Sequence, residues 1–341
     1  MSEFESSPDS RRITAIDAHV AGEPLRVITG GVPEPLGGTV LEQRRFAAQH
    51  LDHLRRALLW EPRGHADMYG CLLTPPTTAD GDFGVLFMHN DGFSTMCGHG
   101  IIGVVTVAIE CGLRPVTGPV PTLRIDTPAG RVVANATVTR GLVEQVSFAN
   151  VPSFLLASDL DTAVPGLGTV RCDIAFGGAF YAYVDAAAIG LDLQPTNAAR
   201  IIDLGRRIKH AVGETHVIRH PAGHPDLNFL YGTIFVGSAT EGAHSRHVCV
   251  FAEGEVDRSP TGTGVSGRVA ILHARGELGR GEWITIESLI GTRFGVRVVG
   301  TTTVGGQPGV IPEVSGRAWI TGHHEFVIHP DDPLRHGFLV R

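Results

Sequence analysis

The amino-acid sequence predicts an α+β protein made of two similar halves. Most of the 341 residues fall in short runs rich in Val, Ile and Thr that Gly and Pro interrupt, which is typical of many strands with few helices. Two Gly-rich segments each begin a strongly apolar stretch of helical length, and a similar strand and turn follow each one. A helix that is apolar on nearly every face must be surrounded. We therefore expect each half to be a mixed β-sheet curled around one buried helix, with a cleft between the halves.

The internal repeat sets the order of the central elements. Two segments begin the helices, and two form the strands and turns that follow them: residues 96–103 and 260–267, and residues 123–130 and 284–291. Both helices are predicted to direct their N-termini at the cleft. A two-fold relation between the halves would then place Cys97 opposite Thr261.

The chain is predicted to divide into four parts. These are a disordered Ser-rich and acidic leader, a first half, a second half, and a C-terminal segment: residues 1–12, 13–165, 166–324 and 325–341. The first half carries Cys97, and the second carries Asp257 and Thr261. The sequence leaves open whether the C-terminal segment crosses back to the first half.

Charge and composition exclude several classes of protein. The net charge is −7 without a block of Lys or Arg, so we expect no nucleic-acid partner and no anionic membrane surface. The longest apolar stretch, around residues 101–109, is about half the length of a spanning helix, so no membrane segment is predicted. Five cysteines without a C-x-x-C pair favour reduced thiols and a cytoplasmic location. The expected partner is a small-molecule substrate.

Two patterns suggest a cofactor or metal, and both are weak. The glycines of residues 98–103 and 262–267 match G-x-G-x-x-G, but both copies lie late in their halves and lack the βαβ alternation of a dinucleotide-binding fold. The C-terminal segment is rich in potential ligands without a metal-binding spacing, and a surface strand is the simpler interpretation: His323, His324, Glu325 and His329. We therefore predict no metal, nucleotide or pyridoxal phosphate.

Cys97 is the strongest candidate for a catalytic group. It immediately precedes the first buried helix, whose free N–H groups can hold an anion such as a carboxylate. The helix dipole at that position favours thiolate over thiol and should lower a pKa that starts near about 8.5. The thiolate could then act as a base. The remaining cysteines are expected to be buried small hydrophobes: Cys71, Cys111, Cys172 and Cys249.

The two helix-opening segments resemble the signature segments of the proline racemase family. They are residues 96–100, Met-Cys-Gly-His-Gly, and residues 257–264, Asp-Arg-Ser-Pro-Thr-Gly-Thr-Gly. Three further segments share the resemblance, which extends from about residue 14 to the late 320s: residues 17–24, 65–70 and 177–182. The resemblance implies a diaminopimelate-epimerase-like fold and removal of an α-proton from a proline-type amino acid without a cofactor.

One position departs from the racemase pattern. Racemases of the family place two cysteines on opposite sides of the substrate α-carbon, and here Thr261 stands in the second place. A threonine hydroxyl has no pKa near neutrality and cannot replace a thiol at the α-carbon. Within the family, Cys97 with Thr261 resembles the members that dehydrate trans-3-hydroxy-L-proline to Δ1-pyrroline-2-carboxylate. The resemblance therefore implies a lyase, with these two residues as its catalytic pair.

Substrate-binding roles follow from position and resemblance together. Asp257 is expected to pair with the ring ammonium, and Tyr69 and Phe180 to wall the apolar side of the ring. His19 and Glu23 are further cleft candidates. The substrate carboxylate is expected to accept hydrogen bonds from the backbone of four residues: Gly98, His99, Gly262 and Thr263.

Two other functions remain open at this point. An epimerase of 4-hydroxyproline or a racemase of proline would need an acid other than Thr261 on the second face of the substrate. A non-catalytic amino-acid-binding protein would keep the carboxylate site without turnover, although an activated Cys97 argues against it. The sequence also leaves the oligomeric state open, and a homodimer is one of the assemblies that it allows.

Overall fold

A computed structural model describes residues 9–340 of the protein. Residues 1–8 of the predicted leader lie outside this range, and the first strand already begins at Arg11. The first half of the chain forms these elements: β1 (Arg11–Val20), β2 (Glu23–Gly30), α1 (Val40–His50), α2 (Asp52–Leu59), β3 (Gly70–Thr74), β4 (Phe83–His89), β5 (Gly92–Ser94), α3 (Gly98–Glu110), β6 (Thr122–Thr127), β7 (Gly130–Thr139) and β8 (Leu142–Ala149).

The second half repeats this order of elements. It begins with an extra strand, carries one outer helix where the first half has two, and ends with a strand that returns to the first half. Its elements are β9 (Phe154–Val164), β10 (Gly168–Phe176), β11 (Phe180–Asp185), α4 (Ala198–Thr215), β12 (Leu230–Gly237), β13 (Ser245–Phe251), β14 (Glu255–Val256), α5 (Gly262–Ala274), β15 (Trp283–Glu287), β16 (Arg293–Val304), β17 (Gln307–Gly316) and β18 (Ala318–Ile328).

The two halves share one pattern of strand pairing. In the first half β1 pairs antiparallel with β2, β2 parallel with β3, β3 antiparallel with β4, and β4 parallel with β6. In the second half β10, β11, β12, β13 and β15 repeat these four pairings in the same order. The outer helices α1, α2 and α4 form the crossovers that a parallel pair requires. The predicted internal repeat is therefore a structural repeat.

The chain crosses between the two sheets twice. β9 follows the first half in sequence but pairs antiparallel with β10, and β18 follows the second half but pairs antiparallel with β1. Between these crossings β8 and β17 pair antiparallel and join the two sheets. The boundary between residues 165 and 166 stays a prediction, and we propose instead a division before β9, because that strand completes the second sheet.

The predicted α+β class, with a sheet curled around a buried helix in each half, is confirmed. Every residue of α3 from Gly98 to Ala108 is buried, and the helix packs against β1, β2, β7, β8 and β18. α5 is buried along most of its length and packs against β9, β10, β16 and β17. Apolar side chains on every face explain why both helices are enclosed. No helix within residues 9–340 is long and apolar enough to cross a membrane.

Candidate active site

The site begins at the N-termini of the two buried helices. Cys97 is the N-cap of α3, with an extended backbone, and its Sγ accepts a hydrogen bond from the Gly100 N–H at 3.2 Å. Thr261 is the N-cap of α5 and has a φ of 67°, in the left-handed region that β-branched residues rarely occupy. Backbone strain of this kind concentrates at functional sites. The Thr261 Oγ1 is buried and makes no hydrogen bond of normal geometry among residues 9–340, with the Cys249 thiol as a neighbour.

Glycines allow the two helix starts to touch. A Cβ built on Gly98 would lie 2.4 Å from the Gly262 Cα, and a Cβ built on Gly262 would lie 2.4 Å from the Gly98 Cα. Any side chain at either position would push the helices apart. The sequence places Gly at both, so the partial positive charges of two helix N-termini meet at one point.

A small cavity lies at this meeting point, and its empty space of about 290 Å³ includes open solvent at its mouth. It brings together almost all of the residues predicted for the site, from both halves of the chain. Its lining consists of Tyr69, Met96, Cys97, Gly98, His99, Tyr181, Tyr231, Phe251, Asp257, Thr261, Gly262 and Thr263. The structure thus places Cys97 and Thr261 at one cavity, while their chemical roles stay predictions.

Phe180 is the exception, and the structure corrects its assignment as a cleft wall. Its ring is fully buried and packs 4.9 Å from the Phe176 ring and 5.9 Å from the Phe154 ring, measured between centroids. Successive side chains of a strand point to opposite faces. Its neighbour Tyr181 therefore points the other way, lines the cavity, and has its hydroxyl 2.8 Å from the Thr263 Oγ1.

Three further cavity residues were not found by sequence reasoning. Met96 belongs to the first signature segment and Phe251 lies shortly before the second, so proximity to Cys97 and Asp257 could have suggested them. No nearby motif in the sequence points to Tyr231. It lies on β12, which is placed beside β11 by a parallel pairing of two strands that α4 separates in sequence. The pairing becomes visible only in the folded sheet.

The thiol of Cys97 is less acidic than the sequence suggests. Burial raises the pKa of Cys97 well above its ordinary value, and the Asp257 and Glu23 carboxylates raise it further. The Gly100 N–H and the Tyr69 hydroxyl lower the pKa but do not offset burial. The expectation of a lowered pKa is therefore wrong, because the helix dipole acts on a sulfur that is 5% exposed and has carboxylates nearby.

His99 is a titratable partner of the Cys97 thiol. Its Nδ1 lies 3.2 Å from the Cys97 Sγ and its Nε2 lies 3.8 Å from it. Burial lowers the pKa of His99, while Asp257 and a hydrogen bond to the Pro24 carbonyl raise it. The imidazole can exchange a proton with the sulfur and is held in place on its far side.

Two carboxylates lie beside the cavity. Asp257 lines it, and its Oδ1 accepts a hydrogen bond from the Ser259 N–H at 2.7 Å. Glu23 is fully buried behind it, and its Oε2 accepts from the Arg258 N–H at 2.7 Å. Burial and the nearby Asp257 raise the pKa of Glu23 well above 4.5. His19, the other cleft candidate, is not among the lining residues and accepts a hydrogen bond from the Gly22 N–H at its Nδ1.

Three of the four potential metal ligands of the C-terminal segment lie within ion-pair distance of charged side chains: His324, Glu325 and His329. The His324 Nε2 lies 3.3 Å from the Asp17 Oδ2, and Glu325 forms an ion pair with Arg12. Within the part of the chain that the structure describes, one other group brings three potential metal-ligating atoms within 4.8 Å of one another: His89, Asp91 and Glu255. It lies behind the cavity wall, where the His89 ring stacks on Tyr69. The absence of a metal from the reaction stays a prediction.

A comparison with protein-family models identifies the chain. The model described as proline racemase matches residues 15–339, nearly the whole sequence. The chain belongs to the proline racemase family. One solved structure of the family is a hydroxyproline epimerase from Agrobacterium vitis with bound trans-4-hydroxy-L-proline. The two sequences are 34% identical, the match covers 97% of this chain and 96% of the epimerase chain, and the TM-score is 0.90. The predicted diaminopimelate-epimerase-like fold is thereby confirmed.

Relatives within the proline racemase family carry different activities in their names. A trans-3-hydroxy-L-proline dehydratase from Bacillus cereus is 49% identical over 97% of this chain and 99% of its own length. A 3-hydroxyproline 2-epimerase from Burkholderia multivorans is 44% identical over 97% of this chain and 99% of its own. The family is enzymatic, and its named members include dehydratases, a proline racemase and an epimerase.

Proposed function

We propose that the protein is a lyase that dehydrates trans-3-hydroxy-L-proline to Δ1-pyrroline-2-carboxylate and water. The observation that carries this proposal is the unequal pair at the cavity, the Cys97 thiol at one helix N-terminus and the Thr261 hydroxyl at the other. A thiol can accept and return a proton at the α-carbon near neutral pH, and a threonine hydroxyl cannot. Relatives named as dehydratases of this substrate support the same choice.

Substrate binding uses the helix N-termini and one carboxylate. The free N–H groups of the first turns of α3 and α5 hold the substrate carboxylate, with donors from Gly98, His99, Gly262 and Thr263. These donors also stabilise the negative charge that spreads into the carboxylate as the α-proton leaves. Asp257 pairs with the ring ammonium on the other side of the α-carbon.

Binding of the substrate also prepares the base. The Asp257 carboxylate is one cause of the raised pKa of Cys97. An ammonium held against Asp257 offsets that negative charge and so favours the thiolate. The His99 Nδ1, 3.2 Å from the sulfur, orients the thiol and can take its proton.

The stereochemistry of the substrate explains why one thiol is enough. In trans-3-hydroxy-L-proline the hydroxyl lies opposite the carboxylate and therefore on the same face of the ring as the α-hydrogen. Cys97 removes the α-proton, and the electron pair of that C–H bond forms the ring double bond as the C3–O bond breaks. The departing hydroxyl takes a proton from a group on the same face and leaves as water, and the resulting enamine tautomerises to the cyclic imine. No proton has to be delivered from the face of Thr261.

The decisive assay gives the purified protein a panel of proline, 3-hydroxyproline and 4-hydroxyproline isomers in D₂O. Dehydration gives a cyclic imine that an aminobenzaldehyde reagent detects, whereas epimerisation gives an inverted product that carries deuterium at the α-carbon. We expect imine from trans-3-hydroxy-L-proline and a loss of about 100-fold or more in Cys97→Ser. The matched control Cys111→Ser, outside the cavity, should keep the activity.

Three results would contradict the proposal. Inversion of any isomer without imine indicates the epimerase or racemase alternative, and no loss of α-hydrogen from any of them indicates a binding protein. A loss of less than tenfold in Cys97→Ser contradicts the assignment of the base.

We place the enzyme in the cytoplasm, supported by five cysteines that all lack a disulfide, and we keep a homodimer as the assembly to test.

A further inference from the structure

One polar group of the cavity has no role in the function proposed above. All four tyrosines of the chain lie in the part that the structure describes, and three of their hydroxyls have a partner. These pairs are Tyr69 with the Ser94 Oγ at 2.5 Å, Tyr181 with the Thr263 Oγ1 at 2.8 Å, and Tyr183 with the Gly264 carbonyl at 2.7 Å. Tyr231 lines the cavity and its hydroxyl is buried; the Tyr69 hydroxyl is a polar neighbour, but the Tyr231 proton has no acceptor of normal hydrogen-bond geometry within residues 9–340.

An unpaired buried hydroxyl at a ligand cavity indicates a polar atom of the ligand. Buried polar groups are almost always hydrogen-bonded, and leaving one unpaired costs about 1–3 kcal/mol. The Tyr231 ring is fixed in place by its neighbours, 5.4 Å from the Phe251 ring and 5.8 Å from the Tyr181 ring between centroids. A rigidly held donor with no partner in the protein is suited to a group that only the substrate supplies.

The position of Tyr231 relative to the base defines that group. The Tyr231 hydroxyl lies near the Tyr69 hydroxyl, which in turn hydrogen-bonds the Cys97 sulfur. The two phenols therefore extend from the base along one side of the cavity. The substrate atom on the same face as the α-hydrogen, and next to it along the ring, is the 3-hydroxyl oxygen.

We propose that Tyr231 is a catalytic residue that binds the 3-hydroxyl of the substrate and protonates it as it leaves. This inference rests on the dehydration proposed above. The Cys97 thiolate takes the α-proton, the electron pair of that C–H bond forms the ring double bond, and the C3–O bond breaks. The leaving oxygen takes the Tyr231 proton and becomes water. The Tyr231 phenolate then regains a proton from the Cys97 thiol by way of the Tyr69 hydroxyl, which restores both groups.

The acidity of the phenol suits this step. Burial raises the pKa of Tyr231 well above 10, and the charges of Glu255 and Cys97 raise it further, so the phenol stays protonated at neutral pH. Hydroxide is a stronger base than a phenolate, so the departing oxygen can take the phenol proton as the C3–O bond breaks. The tyrosine is thus a donor that keeps its proton until hydroxide forms.

The test compares two leaving groups in Tyr231→Phe, which removes only the hydroxyl. The substrates are trans-3-hydroxy-L-proline, whose leaving group needs a proton, and trans-3-chloro-L-proline, whose chloride leaves without one. We expect kcat for dehydration to fall by about 100-fold or more, and chloride release to fall by less than about threefold. Tyr183→Phe is the matched control, since it removes a buried phenol from outside the cavity lining. It should leave the ratio of the two rates unchanged.

The outcomes separate this inference from the proposed function. Equal losses with both substrates in Tyr231→Phe indicate a structural role and overturn the inference, and so does dehydration at more than a tenth of the wild-type rate. In both cases the wild-type protein still forms the imine, so the proposed function stands. A wild-type protein that releases chloride but never water overturns the proposed function and this inference with it.

Discussion

The contact between the two helix starts predicts a large effect from a single methyl group. In Gly98→Ala the new Cβ would lie 2.4 Å from the Gly262 Cα, whereas ordinary contacts between carbon atoms begin at about 3.5 Å. The N-termini of α3 and α5 must therefore separate by about 1 Å. A displacement of that size between catalytic groups can cost about 100-fold in rate, and overpacking should cost about 1–3 kcal/mol in stability.

The assay measures kcat/KM for imine formation together with the midpoint of thermal unfolding. Gly262→Ala should behave like Gly98→Ala, because its Cβ meets the Gly98 Cα at the same 2.4 Å. Gly213→Ala is the matched control in α4, where a new Cβ meets no atom within 4 Å. A folded Gly98→Ala variant that keeps more than half of the wild-type kcat/KM would refute the argument that this contact sets the geometry of the site.

Two further predictions concern the second face of the cavity and its buried carboxylate. Thr261→Cys supplies a thiol on that face, so D-proline should form from L-proline at least about tenfold faster than in the wild type; chiral chromatography that detects no D-proline would count against the two-faced geometry. Because the pKa of Glu23 is raised above 4.5, its ionisation costs the folded state more than the unfolded state. The free energy of unfolding should therefore fall as the pH rises from 4.5 through the raised pKa, and Glu23→Gln should lack this contribution. Denaturant titrations at several pH values measure the difference between variant and wild type, and a difference that stays constant across this range would contradict the prediction.

The sequence predicts the parts of the site that local chemistry determines. Gly98 and Gly262 begin apolar helices and lie in similar segments, so both the repeat and the meeting of the helix starts follow from residue type and spacing. Cys97 and Asp257 lie in those segments and reach the cavity with them. For these residues, the distance in sequence from the start of the buried helix determines where they lie in the folded protein.

The features of the site that the sequence does not predict depend on contacts between segments that are distant in sequence. Phe180 and Tyr181 are adjacent aromatic residues, and only the register of β11 decides which of them faces α5. Tyr231 reaches the cavity through a parallel pairing that no short-range pattern predicts. The pKa of Cys97 depends on total burial and on Asp257, which approaches from the other half of the chain. Each of these is a property of the assembled fold.

The two crossings of the chain, before β9 and before β18, restrict how the cleft between the halves can open. The backbone passes between the halves twice, at residues 150–153 and again at Arg317, and both passages flank the β8–β17 pair. The two chain passages lie close together and hold the halves at one edge. The relative motion that they allow is a rotation of the halves about the line that joins the passages. A rotation about this line is the motion that would separate the two glycine-rich helix tips while the β8–β17 pairing stays intact.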